Sequence, residues 1–180
     1  MTRQHGPWVI HESTEKFRNK FVVVTEDRVT QPDGSAGTFA TVEMNPGVAV
    51  LAIDDRGEVH LTRQYRYAIG ADSVEVVSGA VEAGEDMRHA AERELREEAG
   101  LTADTWIDLG SIDMDTSILR CPVQLFLARG LRRVDKEPDP AERITPIPMP
   151  FTEAISMVHE GAVTHAPSCV LILKAARYIG

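Results

Sequence analysis

From residue 79 to residue 101 the chain reads GAVEAGEDMRHAAERELREEAGL, and no other stretch limits the fold as tightly. Met87, Ala90, Ala91, Leu95 and Ala99 recur at helical spacing and need an apolar surface to cover them. Asp86 can cap the start of that helix, and Gly100 suits its end. Gly79 and Gly84 leave the approach to the helix, residues 79–85, as a loop. On the helix, Glu94 and Glu98 are four residues apart and stand one above the other, with Glu97 at the flank of that face. Like charges at this spacing cost about 0.2–0.5 kcal/mol per pair in a bare helix. Such a face is either solvated or supplied with a cation. Hard divalent ions such as Mg²⁺ take oxygen ligands, usually one or two carboxylates together with water and substrate phosphates.

Around this helix the pattern is mostly that of strands. Residues 48–53 are continuously apolar, as in a strand covered on both faces. Residues 59–67 (VHLTRQYRY) alternate, placing Val59, Leu61 and Tyr65 inward, and residues 74–77 form a brief strand running straight into the glycine loop. Upstream, Trp8-Val9-Ile10 reads as a short strand in a polar segment. Residues 21–24 and 38–44 read as hairpin partners about a Pro32-Asp33-Gly34 turn. Downstream come strands at 106–112 and 123–128, separated by a loop at 113–122 long enough to carry specificity. A charged, proline-bearing loop follows at 132–142, then an edge strand at 144–150 interrupted by prolines. A short helix at 152–160 ends at Gly161. A last helix, 168–179, would bury Val170, Leu171, Leu173 and Ala176. Strands and helices mix without a βαβ rhythm, which predicts an α+β fold in which helices sandwich a mixed sheet. The turn at Asn45-Pro46-Gly47 divides an N-terminal strand region, 1–45, from a main domain, 46–180.

Composition excludes some functions. The formal net charge is −9. That balance argues against non-specific binding to a nucleic-acid backbone, whose phosphates need a basic face, although a metal ion could still bring a small phosphorylated ligand. No apolar run is long enough to span a bilayer, and the N-terminus lacks the apolar core of a signal peptide. Two cysteines, Cys121 and Cys169, in no metal-type spacing suit a reducing compartment, so a cytoplasmic location is expected.

The acidic stretch resembles the signature of the Nudix hydrolases: a Gly, five residues, a Glu, seven residues, then Arg-Glu-apolar-any-Glu-Glu-any-Gly-apolar. Gly79, Glu85, Arg93, Glu94, Leu95, Glu97, Glu98, Gly100 and Leu101 satisfy every specified position. The resemblance implies a loop-helix-loop on a mixed-sheet sandwich and a Mg²⁺- or Mn²⁺-dependent hydrolase of a nucleoside diphosphate linked to another group. Arg63-Gln64-Tyr65-Arg66 and Glu75, four residues before Gly79, look like the subfamily that hydrolyses ADP-ribose and related nucleoside diphosphate sugars. In that subfamily the N-terminal strands commonly help to build a homodimer. The chain departs from that pattern at residues 116–118, where such hydrolases often carry a proline and this one has Thr116-Ser117-Ile118.

The resemblance assigns metal ligation to Glu94, Glu98 and Glu97 and to the backbone carbonyl of Ser78. Arg93 would orient Glu85 or a neighbouring glutamate. Arg66 would contact phosphate, with Arg63 and Glu75 as further substrate candidates, because guanidinium geometry suits phosphate. In the sugar-hydrolysing relatives a late-loop glutamate takes the proton from the attacking water. Glu142 is the first candidate here, with Glu137 and Asp139 beside it, and Glu97 is also a candidate catalytic group. Gly79, Glu85 and Gly100 serve the motif's geometry. His159 and His165 show no ligand spacing. Two alternatives stand beside this reading: a hydrolase that sanitises nucleoside triphosphates, and a non-catalytic domain that senses nucleotide sugars.

Overall fold

A computed structural model describes residues 2–136 and 143–179. The chain divides into two compact units, residues 1–45 with 113–121, and residues 46–112 with 122–180.

The first unit is a five-stranded sheet in the order β1-β2-β3-β4-β10, from β1 (Arg3–His5), β2 (Trp8–Arg18), β3 (Val22–Thr30), β4 (Ala36–Met44) and β10 (Leu119–Arg120). The β3–β4 hairpin turns at Gly34, where φ is 88° and the Asp33 carboxylate accepts from the Ser35 N–H, as the Pro-Asp-Gly sequence predicts. Trp8-Val9-Ile10 opens a strand of 11 residues rather than a short one. Its polar continuation is held by the backbone ladder to β3 down to the Arg18–Val23 pair, with only Ile10 buried along the strand. A strand held by its ladder rather than by a buried face shows no apolar alternation. The 113–122 loop also contains a strand: β10 pairs in parallel with β4, and Ile118 O accepts from Val42 N.

The second unit is built on a seven-stranded mixed sheet. Its main path is β12-β6-β5-β11-β9, from β5 (Gly47–Ile53), β6 (Glu58–Arg66), β9 (Leu101–Asp113), β11 (Pro122–Arg133) and β12 (Thr145–Pro150). In addition, β7 (Ala71–Glu75) pairs with β6 and β8 (Val77–Ala80) with β5. The proline-bearing β12 lies at the end of this path, where missing N–H donors cost least. Helix α1 (Met87–Glu94), α2 (Phe151–His159) and α3 (Ala166–Ala175) complete the unit. The even residues of β5, Val48, Val50 and Ala52, form a core with Ala90, Ala91 and Leu95 from the α1 side. Helix α3 also packs on β5 and β11. Residues 48–53 of β5 are therefore all buried, which is why their sequence is continuously apolar. Each Leu or Val so buried contributes roughly 1.5–3 kcal/mol.

Four local expectations are corrected. Tyr65 points outward, because beyond Leu61 the covered face of β6 passes to Thr62 and Gln64. The strand expected at 74–77 is broken at Val76, whose N–H donates to Ser168 Oγ (2.9 Å) instead of joining a ladder. Part of the expected glycine loop is strand, since Gly79 and Ala80 pair with Val48 and Gly47. Helix α3 buries Leu171 as expected and leaves Val170 half-buried, but Ser168, Ile172 and Ala175 take the inward places expected for Leu173 and Ala176, which face solvent.

Candidate functional site

Asp86 caps α1 as expected, its carboxylate accepting from Arg88 N (2.8 Å) and His89 N (3.0 Å). After Glu94 the helix widens into a π-helical turn, Leu95–Ala99, and stops at Gly100, whose φ is 65°. The sequence predicts one continuous α-helix here. The extra backbone in a π turn keeps Leu95 in the core while Glu94 and Glu98 both turn toward β8, and such turns are frequent at functional sites.

The acidic face is not solvated. Glu94 is 9% exposed and Glu98 3%. The Glu94 carboxylate lies against Gly79, where a Cβ would stand only 2.0 Å from Oε1. Next to it, Ser78 N donates to Glu98 Oε2 at 3.3 Å. Two consecutive residues of β8 thus receive two buried carboxylates. Arg93 adjoins Glu94 in sequence. Its Nη1 donates to Glu94 Oε1 (2.7 Å) and Glu97 Oε2 (3.2 Å), its Nε and Nη2 grip both oxygens of Glu85 (3.0 Å each), and Nη2 also donates to Ala80 O (3.0 Å). This bonding raises the Arg93 pKa and holds the Glu85 carboxyl below the usual range. Arg93 therefore ties together Glu85, Glu94, Glu97 and the end of β8.

The donors offered at Glu94, Glu97, Glu98 and the Ser78 backbone are all oxygen, which suits a hard dication. Among the described residues no three His, Cys, Asp or Glu side chains are gathered into a set that could hold a metal by themselves. An open Mg²⁺ site needs only one or two carboxylates, because water and substrate phosphate complete it. The seat on Gly79, filled by a carboxylate where a Cβ would go, matches that requirement.

A second cluster contains Arg66 and Glu75. Glu75, 2% exposed, accepts from Arg66 Nε (2.9 Å) and Nη2 (2.5 Å) in a two-pronged pair. Burial pushes its carboxyl up, but Arg66, His165 and Ser73 together hold it below the ordinary value. His165 Nδ1 is 3.4 Å from Glu75 Oε2 and 2.8 Å from Ser168 Oγ. Arg63 lies elsewhere: an odd separation from Arg66 along β6 puts the two on opposite faces, and Arg63 is exposed. Neither His165 nor Ser168 carries a sequence signal for this cluster, because some 90 residues separate them from Glu75 and no motif links them. Glu137, Asp139 and Glu142 lie outside the described residues. An open concavity of about 590 Å³ lined by Arg96, Arg133, Val134 and Asp135 includes none of the candidate carboxylates.

The NUDIX domain family model matches residues 44–167. The ADP-ribose pyrophosphatase of Mycobacterium tuberculosis (strain ATCC 25618 / H37Rv) is 35% identical over 144 residues, covering 78% of this chain and 69% of that protein. The ADP-ribose pyrophosphatase of Bacillus subtilis (strain 168) is 28% identical over 158 residues, covering 87% of this chain and 85% of that protein. A crystal structure described as an ADP compounds hydrolase superposes with a TM-score of 0.83 over 94% of this chain and 92% of that one. At 20% identity that likeness concerns the fold.

Proposed function

The chain belongs to the Nudix family, and on that premise we propose that it hydrolyses the pyrophosphate bond of ADP-ribose or a related nucleoside diphosphate sugar, using Mg²⁺ or Mn²⁺. The products are a nucleoside monophosphate and a sugar phosphate. At the coarser level it is a hydrolase of phosphoanhydride bonds in nucleoside diphosphate-linked compounds. The observation that carries the reading is the convergence of two buried carboxylates, Glu94 and Glu98, on Gly79 and Ser78 of β8. The choice of substrate is supported by the relatives named ADP-ribose pyrophosphatase and by the Arg66–Glu75 pair.

Glu94, Glu98 and Glu97, with the Ser78 carbonyl, would hold the cofactor. A divalent ion bound there supplies positive charge against the pyrophosphate and makes an attacking water more acidic. Arg93 keeps Glu94 and Glu97 aimed by donating to both from Nη1. Glu85 fixes Arg93 in turn, and is itself anchored by the Glu82 N–H at 3.1 Å. Arg66, paired with Glu75 and 36% exposed in its side chain, is the candidate contact to phosphate. Glu142 or Glu137 takes the proton from water. Residues 1–45 serve as a dimerisation element, a role that sedimentation velocity tests: a dimer supports it and a monomer at micromolar concentration counts against it.

The function itself is tested by product analysis after Mg²⁺-dependent incubation with nucleoside diphosphate sugars, dinucleotides and nucleoside triphosphates. AMP and ribose phosphate from ADP-ribose are expected. A monophosphate and pyrophosphate from triphosphates alone would replace this reading with triphosphate sanitation. Binding without turnover of any of them would make the chain a sensor.

A further inference from the structure

The chain changes sheet partners at Val76. Glu75 is still paired with Thr62 of β6, whereas Val77 is paired with Val50 of β5. Val76 itself is fully buried, and its N–H donates to Ser168 Oγ at 2.9 Å instead of joining either ladder. Ser168 lies in the first turn of α3 and is fully buried too. His165 Nδ1 is 2.8 Å from the same oxygen. A hydroxyl with one proton and two lone pairs serves both partners in either tautomer of the ring, so the serine side chain is fixed from two sides. Without that hydroxyl the Val76 N–H would be a buried donor with no acceptor, at the cost of its full desolvation.

This bond holds the approach to the carboxylate seat. Strand β8 is only four residues long, Val77–Ala80. Its second and third residues meet the acidic face: Ser78 N donates to Glu98 Oε2 (3.3 Å), and the Glu94 carboxylate lies against Gly79. At the far end the segment is held by the Val81 N–H on Pro46 O (2.8 Å) and by Arg93 Nη2 on Ala80 O (3.0 Å). At the near end the corresponding hold is Ser168 on Val76, two residues before Ser78. Two residues of extended chain span about 7 Å at most, so a shift at Val76 reaches Ser78 with little slack to absorb it.

We propose that Ser168 is a positioning residue for the divalent ion: by holding the Val76 N–H at the strand break, its hydroxyl sets the place of Ser78 and Gly79 against Glu98 and Glu94, and with it the affinity for Mg²⁺ or Mn²⁺. The inference rests on the metal-binding role proposed above for those residues. Ser168 touches neither metal nor substrate. Its effect falls on metal affinity rather than on the chemical step.

The test reads Mn²⁺ binding to the substrate-free chain by electron paramagnetic resonance. Ser168→Ala removes the acceptor and is expected to raise the Kd for Mn²⁺ about tenfold, the scale of one buried hydrogen bond. The Mg²⁺ concentration for half-maximal hydrolysis of ADP-ribose should rise by a similar factor, with kcat at saturating Mg²⁺ within about threefold of wild type. Ile172→Val is the control for stability alone: it removes a buried methyl group from the same helix and no hydrogen bond, so its melting temperature should fall while its Kd stays within about twofold of wild type. A folded Ser168→Ala chain with Kd within about twofold of wild type overturns the proposal, and so does an equal loss of affinity in Ile172→Val. If Ser168→Ala fails to fold, Ser168→Cys decides, since sulfur keeps the shape but is a weak acceptor. A raised Kd in that variant supports the proposal and an unchanged one overturns it. Glu98→Gln separates the two levels. If it weakens Mn²⁺ binding while the Ser168 variants do not, the positioning role fails alone. If Glu98→Gln binds Mn²⁺ as the wild type does, or the wild-type chain binds none, the metal-site reading has failed and the positioning role falls with it.

Discussion

Replacing Gly79 with alanine would place a methyl group where the Glu94 carboxylate now lies. A Cβ at that position stands 2.0 Å from Oε1, 2.1 Å from Cδ and 2.5 Å from Oε2 of Glu94. Ordinary contact begins near 3.4 Å, so the carboxylate must retreat by about 1.4 Å, the difference between 3.4 and 2.0 Å. Gly79 is not among the positive-φ glycines, so alanine meets no backbone strain there. The obstacle is the far end of a flexible side chain, which can swing aside. The fold should therefore lose only about 1 kcal/mol, or roughly 2–4 °C in Tm for a chain of this size. Activity is far more sensitive, because a misplacement of about 1 Å in a catalytic constellation can cost on the order of 10²-fold. The retreat also strains the 2.7 Å bond from Arg93 to Glu94. Thermal unfolding and Mg²⁺-dependent hydrolysis of ADP-ribose should be measured on the same preparation. A near-native melt with kcat/KM down about a hundredfold is expected. Wild-type kcat/KM in a folded Gly79→Ala chain would refute the reasoning that this glycine exists to seat Glu94.

Arg93→Lys keeps the charge but loses the fork that reaches Glu85, Glu94, Glu97 and Ala80 O; urea denaturation should show a loss of about 1–3 kcal/mol, and unchanged stability would contradict the tie. The Glu75 carboxyl sits below its ordinary value of 4.5 in the folded chain. Its contribution to stability is therefore complete above that value and is lost as pH falls through the lower folded-state value. Denaturation midpoints should be flat above about pH 5 and drop in more acid solution, with a shallower drop in Glu75→Gln; equal slopes in the two chains would dismiss the assignment. Of Glu142→Gln and Glu137→Gln, one should lower kcat by about 10²–10⁴-fold with Mn²⁺ binding intact, and full activity in both would place the base elsewhere.

The parts of the fold legible in the sequence are those set by local chemistry. The 48–53 run is continuously apolar because both faces of β5 are covered, and the Pro32-Asp33-Gly34 turn, the Asp86 cap and the Gly100 stop each follow from one residue's backbone or side-chain preference. The π turn at 95–99 was not legible, since its composition is that of an α-helix and only the hydrogen-bond pattern differs. The break at Val76 depends on a hydroxyl 92 residues away. Tyr65 is exposed because β6 buries residues on both faces, and the α3 face at 168, 171, 172 and 175 includes a serine that apolar spacing alone does not point to. At the site, Glu94, Glu97, Glu98 and Arg93 were readable from spacing and motif. The motif gives Gly79 a role in backbone geometry, but its closeness to Glu94 is a tertiary fact. The union of Glu75 with His165 and Ser168 joins separate elements and has no local signature.

The central claim, that the carboxylates at β8 drive metal-dependent hydrolysis, is met most directly by Glu98→Gln. Glu98 is 3% exposed and its Oε2 accepts from Ser78 N, so a neutral amide of nearly the same shape keeps the packing while removing the charge. AMP release from ADP-ribose should be followed across a Mg²⁺ titration for the wild-type and variant chains. A folded variant whose turnover at saturating Mg²⁺ is lower by on the order of 10²-fold or more is the predicted result. Turnover equal to wild type under those conditions would contradict it.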